Sequence, residues 1–444
     1  MWLNCGAGAG CAGIDAQVIW RTRGLLLGLV GSETAFAFGH GVSQTHDDRP
    51  MKTLSACVLL FASALSASSS VGRGGEEVAL VRVPHGGIQP EVAVDSKGAL
   101  HLLYFAGEPR GGDLFYVRST DDGATFSTPI RVNSQPGSAI ATGTIRGGQI
   151  AVGRGGRVHV AWNGSDAANP KGLINPANGQ PSAPFLYARL NVEGTAFEAQ
   201  RNLTTHSYGV DGGGSIAADA HGNVYAAWHA LAVGGETGED HRLVWIARST
   251  DDGASFSEER PAWREQTGAC SCCGVRMYAG PSNVLYLLYR SATAMTHRDM
   301  FLLESTDQAH TFRGSRVQPW EIGACPMTSM SIAASESKVF GAWETAGQVY
   351  FGQIDAKNAR IATPVAAHGD GGTRKHPRLA TTATGDVLLV WTEGTAWSRG
   401  GSVAWQVFDS SGRMTAIKGT APGVPVWSFA APIARTNGGF VVLY

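Results

Sequence analysis

An all-β chain folded as a β-propeller, with four-stranded antiparallel blades arranged around a central axis, is what this sequence predicts. Three observations carry that expectation. First, one unit recurs seven times: a small-residue apolar strand, a Gly-rich or polar turn, and a second strand ending in an aromatic. Second, apolar residues in the second half of each unit alternate with the two-residue period of a strand, and no stretch sustains a helical period. Third, 59 glycines against 19 prolines in 444 residues suit many tight turns and neither a collagenous nor a disordered chain.

The units begin at Val92 (VAVDSKGALHLLY), Ile150 (IAVGRGGRVHVAW), Ile216 (IAADAHGNVYAAW), Met277 (MYAGPSNVLYLLY), Ile332 (IAASESKVFGAW), Leu379 (LATTATGDVLLVW) and Ile433 (IARTNGGFVVLY). Two further strand-like segments follow each of the first six, for example residues 114–118 and 127–132 in the first and 243–247 and 256–259 in the third. Four antiparallel strands repeated radially leave only short, protected sheet edges. The seventh unit has two strands before the last residue, Tyr444, and residues 77–83 form an orphan strand ahead of the first. Pairing these termini in one blade closes the ring, so seven blades are expected, with six as the alternative. Trp162, Trp228, Trp343 and Trp391 each close the second strand of a unit and are expected to pack between blades.

Ahead of the repeats, residues 51–67 have the three-part layout of a secretory signal: Met51-Lys52-Thr53, an apolar run over 54–62, then small residues. The run is too short for a membrane span. The layout predicts a secreted or periplasmic protein, with residues 1–50 a mis-assigned upstream extension and 77–444 a single propeller domain. The formal net charge of −1, without runs of like charge, offers no footprint for nucleic acid or an anionic membrane.

The turn after the third strand carries a second repeat. Ser119-Thr120-Asp121-Asp122-Gly123-Ala124-Thr125-Phe126 follows the pattern S-x-D-x-G-x-T-F/W. Ser249, Asp251, Gly253 and Phe256 repeat it with Ser255 for Thr, and Ser305, Asp307 and Phe312 form a third copy that has lost its Gly. The Asp side chain can accept backbone N–H groups across such a turn, and Gly supplies a positive φ. On these octapeptides the chain resembles the Asp-box (BNR-repeat) propellers typified by sialidases, over roughly residues 77–444. The resemblance implies that the boxes are structural and lie on the face away from an active site.

A ligand site is expected where the innermost strands begin, at the mouth of the channel. The residues just before each unit are His85, Arg146, Asp211, then Cys270, Cys272, Cys273 and Arg276, then Cys325 and Met327, then Arg374, Lys375 and His376, and finally Trp427. The long connections 163–184 and 229–241 open toward the same end and are candidate lids. The resemblance to sialidases implies an arginine clamp for a carboxylate, here Arg146, Arg276 and Arg374 or Arg378. It further implies Asp211 as acid and Tyr208 or Tyr278 as nucleophile. Two departures stand against this: Ile88-Gln89-Pro90 replaces the family's early F-R-I-P-type motif, and no Glu occupies an evident inner position.

The four cysteines of the repeat region are an even, clustered set, which in an oxidising compartment reads first as two disulfides, with three pairings open. The alternative is a soft-metal site for Cu or Zn built from Cys270, Cys272, Cys273, Cys325 and Met327, with His85 or His376 as additional ligands. Three functions follow: a propeller binding a small anionic or glycan-type ligand at its mouth, a divergent sialidase-like glycoside hydrolase, or a metal-binding protein.

Overall fold

The computed structural model describes residues 77–444 except positions 281, 282, 362 and 437; the expected signal segment and the residues before it lie outside the described residues. The described residues contain no α-helix, and no helix among them is long and apolar enough to cross a membrane.

The repeat becomes a seven-bladed β-propeller. Blade 1 runs Ile88–Val94, Leu100–Ala106, Asp113–Ser119 and Ile130–Arg131 in simple antiparallel order. The first strands of blades 2 to 7 are Gln149–Val152, Ser215–Ala218, Val275–Ala279, Met330–Ala334, Arg374–Thr381 and Ala431–Ala434. Each first strand neighbours those of the two adjacent blades, and the last neighbours the first, so they form the inner wall of a closed ring.

Blades 1 to 6 each carry four antiparallel strands in chain order, and a short fifth strand, Ser207–Tyr208 or Val365–Ala366, joins the sheets of blades 3 and 5. The seventh differs. Its Ala431–Ala434 and Phe440–Leu443 hairpin is completed by Val78–Val81, which pairs parallel to Phe440–Leu443 from Val78 opposite Phe440 to Val81 opposite Leu443. The orphan strand therefore closes the ring as expected, in a three-stranded sheet and with a parallel ladder.

Strand alternation explains how the blades hold together. Val442 and Phe440 face blade 6 beside Leu388 and Val390, while Val441 and Leu443 face blade 1 beside Leu100 and Leu102. Both faces of a blade are thus buried, which is why its strands read as nearly continuous apolar runs. Each of the seven blade-to-blade interfaces holds one such apolar cluster. Trp162, Trp228 and Trp343 are essentially inaccessible and Trp391 nearly so, as expected for packing residues.

The three octapeptides fold as the same turn, at the end of the blades opposite the mouth. In the first, Ser119 Oγ donates to Asp121 Oδ1 (2.7 Å), Asp121 Oδ1 accepts Thr125 N–H (2.9 Å), and Ser119 Oγ accepts Gly123 N–H (2.9 Å). Asp251 and Asp307 repeat these bonds with Ser255 and Thr311. Hydrogen bonds from Thr125 and Ser119 hold the Asp121 carboxyl down at about 2. In the third copy Ala309 takes the place of Gly and still adopts φ +66°. Blades without the octapeptide use a shorter device at the same place: Asn191 Oδ1 accepts Thr195 N–H in blade 2, and Asp409 Oδ1 accepts Arg413 N–H in blade 6.

The two glycines of these turns differ in what surrounds them. A Cβ on Gly123 would meet nothing nearer than Leu100 Cδ2 at 3.5 Å, whereas one on Gly253 would lie 1.9 Å from Tyr187 Oη. That hydroxyl is buried and bonded to His159 Nδ1 at 2.8 Å. Gly123→Ala is therefore expected to cost only the left-handed conformation, about 1 kcal/mol. Gly253→Ala is expected to cost about 2 kcal/mol more, by displacing Tyr187 and unpairing a buried histidine. Urea unfolding of both variants checks the order; equal losses would contradict it.

Candidate functional site

The axis is occupied by a buried ion-pair knot contributed by four blades. Glu91 of blade 1 accepts Arg276 Nη2 of blade 4 at 2.9 and 3.1 Å, Arg378 Nη2 of blade 6 at 2.5 Å, and Gln149 Nε2 of blade 2 at 2.8 Å. The guanidinium of Arg378 also lies 4.2 Å over the Phe429 ring. Burial pushes the Glu91 carboxyl up, against the pull of Arg276 and Gln149. The adjoining channel space is lined by Gln149, Arg276, Ser329, Arg378 and Phe429, among others.

Glu91 and Arg378 reach the axis by the same backbone device. Gln89-Pro90-Glu91 and His376-Pro377-Arg378 each place a residue with φ near +54° before a proline, and the ladder slips register at both places. Proline cannot donate to a ladder, and a bulge re-aims the side chain that follows it. The inner glutamate that the sequence reading did not find is therefore Glu91. It lies one position before the first repeat unit, where the bulge obscures the strand period.

This arrangement corrects the proposed arginine set. Arg374 is not at the axis: its Nε bonds Glu393 Oε1 at 3.1 Å, its Nη1 bonds Gln348 Oε1 at 2.8 Å, and its guanidinium lies 5.2 Å over the Trp391 ring. Arg378, four residues on in the bulged strand, takes the inner place. His376 is buried, bonded to Ser329 Oγ at 3.2 Å, and burial with Lys375 nearby lowers it to about 3. His85 is exposed and faces the Tyr104 ring, with a centroid separation of 6.5 Å. Neither histidine is joined to the cysteines by any hydrogen bond. Tyr208 is buried on a short strand beside Leu231, and Tyr278 packs in the cluster between blades 4 and 5. Neither tyrosine bonds to the axis or to Asp211.

The residues that do converge lie further out at the mouth. Arg146 donates through Nη2 to Asp211 Oδ1 at 2.5 Å and through Nη1 to Thr142 O at 2.9 Å, and the Asp211 side chain remains 40% exposed. A Cβ on Gly143 would lie 2.4 Å from Arg146 Nη1, 3.0 Å from Trp397 Cζ3 and 3.1 Å from Met327 Cε, so three side chains from three blades close around this glycine. Trp397 stands edge-on to Trp427, with centroids 6.2 Å apart. Trp397, in the hairpin between the second and third strands of blade 6, was not singled out from the sequence; that hairpin opens at the mouth, which was the available signal. Lys375 Nζ donates to Pro326 O at 2.6 Å and braces the loop carrying Cys325 and Met327. Gln89 Nε2 donates to Ala141 O and Trp427 O, tying two mouth loops together.

The cysteines sit beside this mouth, between blades 4 and 5. Cys272 and Cys325 form a disulfide, one of the pairings left open, while Cys270 and Cys273 are buried free thiols. The expectation of two disulfides is therefore met by one. The sulfurs of Cys270, Cys272 and Cys273 lie within 4.8 Å of one another, close enough to hold a metal ion, and Met327 packs against them. With Cys272 in the disulfide, the free thiols among the described residues are Cys270 and Cys273. Burial opposes ionisation of Cys273, but hydrogen bonding from Cys270, the Arg290 charge and Thr328 bring it down to about 7. Burial and the partnership with Cys273 push Cys270 well up. Of the two expected lids, 229–241 begins as strand and then docks on the cysteine loop, where Glu239 Oε1 accepts Ser271 N–H at 2.8 Å. The other, 163–184, carries a small hairpin, and its Asn163 bonds Gly212 O.

No protein-family model and no curated protein sequence matches this chain. Among solved structures it is similar to a protein of unknown function from Dyadobacter fermentans DSM 18053, at 15% identity and TM-score 0.48 over 77% of this chain and 96% of that one. It is similar to the α-L-arabinofuranosidase Arb93A from Fusarium graminearum, at 11% identity and TM-score 0.48 over 75% and 97%. It is also similar to the Trypanosoma rangeli sialidase, at 14% identity and TM-score 0.45 over 71% of this chain and 54% of that one. The seven blades themselves are read from the strand pairing described above.

The knot generates a prediction. Glu91→Ala leaves two largely buried guanidinium groups without their carboxylate and is expected to destabilise the fold by about 3 kcal/mol or more. Trp397→Ala, at an exposed mouth position, is expected to change stability by less than about 1 kcal/mol. Chemical denaturation measures both, and a Glu91→Ala protein as stable as the parent would show that the knot does not hold the axis.

Proposed function

We propose that this chain is an exported glycan-binding propeller, and that its ligand is a small neutral saccharide held at the channel mouth. The observation that carries the reading is the exposed Trp397 beside Trp427, next to the Arg146–Asp211 pair. Aromatic faces stack on the apolar faces of sugar rings, and a guanidinium–carboxylate pair offers both donors and acceptors to hydroxyl groups. A few convergent polar groups beside aromatic surface are the usual make-up of a small-ligand site.

Charge at the axis narrows the ligand class. A carboxylate clamp needs guanidinium groups free to receive the substrate. Here Arg276 and Arg378 already share Glu91, and Arg146 already holds Asp211. An incoming sugar acid would have to displace an internal carboxylate at either place. This favours a neutral glycan over the anionic ligand that the basic residues alone suggest, and it weighs against a sialidase-type clamp. An exported setting is supported by the layout of residues 51–67 and agrees with the Cys272–Cys325 disulfide.

Titration with neutral oligosaccharides and with free sialic acid, followed by tryptophan fluorescence, tests the proposal. The expected result is saturable binding of a neutral saccharide, weakened about tenfold or more in Trp397→Ala, which corresponds to roughly 1.4 kcal/mol. Binding of sialic acid alone, dependent on Arg276 and indifferent to Trp397, would overturn it. Turnover of a fluorogenic glycoside, lost in Asp211→Asn, would make the same mouth an active site.

A further inference from the structure

The cysteine cluster is a different feature from the saccharide mouth, and its parts are in different chemical states. A disulfide, Cys272–Cys325, has one end exposed at Cys325 and the other buried at Cys272. Against the buried end lies a free thiol: Cys270 Sγ is 3.6 Å from Cys272 Sγ. A second free thiol, Cys273, shares the pocket with both.

The surroundings distinguish the two thiols. Cys270 and Cys273 stand three residues apart in one tight turn, closed by Cys273 N–H donating to Cys270 O at 3.2 Å. Thr328 Oγ1 donates to Cys273 Sγ at 3.7 Å, and the same oxygen accepts Arg290 Nε at 3.0 Å. Arg290 is itself buried. Cys270 is thus the free sulfur set against the disulfide, and Cys273 lies beside it, held by the Thr328 hydroxyl with the Arg290 guanidinium behind.

We propose that this cluster is a thiol–disulfide exchange centre in which Cys270 is the attacking thiol, Cys273 its base, and Cys325 the exposed thiol that meets an external disulfide. In the first step Cys273 thiolate takes the Cys270 proton, and Cys270 Sγ attacks Cys272 Sγ. The Cys270–Cys272 bond forms, the Cys272–Cys325 bond breaks, and the electron pair leaves on Cys325 as a thiolate. No electrons are gained or lost overall, so no oxidant is needed. In the second step the Cys325 thiolate attacks a low-molecular-weight disulfide, forms a mixed disulfide with one half and releases the other as a thiolate. Reaction at Cys325 draws the isomerised form off, so a small standing population suffices. The leaving sulfur is the accessible one, which suits exchange with solutes that cannot reach the buried thiols.

An Ellman-type aromatic disulfide, which releases a coloured thiolate on exchange, tests this on the native full-length protein. The expected result is release of one equivalent from the four repeat-region cysteines, with its mixed disulfide mapped to Cys325. Cys270→Ser is expected to abolish release, because it removes the free sulfur that touches Cys272 Sγ, at 3.6 Å. Cys273→Ser is expected to slow it about a hundredfold by removing the base. Circular dichroism melting establishes that each variant is folded. Should Cys270→Ser fail to fold, peptide mapping of the parent without reductant decides instead, by the presence of both Cys272–Cys325 and Cys270–Cys272 linkages. The proposal is overturned if no thiolate is released, if the adduct maps to Cys270 or Cys273, or if Cys270→Ser reacts like the parent. It is equally overturned if the unfolded parent has no free thiols, or frees them only when a chelator is added.

Discussion

A propeller has no framework beyond the packing of each blade on its neighbours, and the last interface must form for the others to hold. Here that requirement falls on four residues, Val78–Val81, laid parallel against Phe440–Leu443. The parallel ladder follows from geometry. The hairpin of blade 7 ends with a strand running outward to the chain end, and the segment arriving from the N-terminal side must run the same way to enter blade 1. Backbone bonds from Val83 N–H to Tyr444 O and from Tyr444 N–H to Val81 O fasten the join. Through it, Leu443 and Val441 pack on Leu100 and Leu102 while Val442 packs on Leu388 and Val390, so one short strand completes two apolar interfaces.

Ring closure brings the seven inner strands together and creates the problem that the axis solves. Polar side chains projecting inward from different blades lose water and must pair with each other. Glu91, Gln149, Arg276 and Arg378 do so from blades 1, 2, 4 and 6. The knot fixes blade positions across the ring at a place where no backbone bond can. It also places a carboxylate between the two guanidinium groups that the resemblance to sialidases would assign to substrate. Under the proposed function, recognition falls to the rim, where Trp397, Trp427, Arg146, Asp211 and Met327 meet. The cysteine loop borders this rim through Met327 and Lys375, so exchange at Cys325 would be felt by the same surface.

The fold was legible because its signals are local and repeated. Strand period, closing tryptophans and the S-x-D-x-G turn each recur, and each is set by a few adjacent residues. Even the third turn, with Ala309 for Gly, keeps its hydrogen bonds, since the Asp307 and Ser305 side chains determine the turn more than the glycine does. The mouth end of each strand was legible in the sequence, but not which side chains reach the axis. Arg146, Asp211, Arg276 and Trp427 were placed at the right end of their strands, as was the cysteine group. Arg374 was preferred over Arg378, and Glu91 was missed, because in both strands a bulge at a proline shifts the two-residue period by which inward residues are counted. Trp397 was missed because a hairpin tip carries no periodic signal. The cysteine pairing depends on distances between loops of separate blades, which spacing along the chain does not encode.

The central claim is that the guanidinium groups at the axis are already occupied by Glu91, so that the ligand binds at the rim. Diffusing bromide into crystals of the protein and locating it by its anomalous scattering tests this directly. Guanidinium pairs that are free to grip a carboxylate also collect a halide. The account predicts no bromide between Arg276 and Arg378, with Glu91 in place between them. A well-occupied bromide at that position, with the Glu91 side chain displaced, would contradict it and restore the carboxylate clamp.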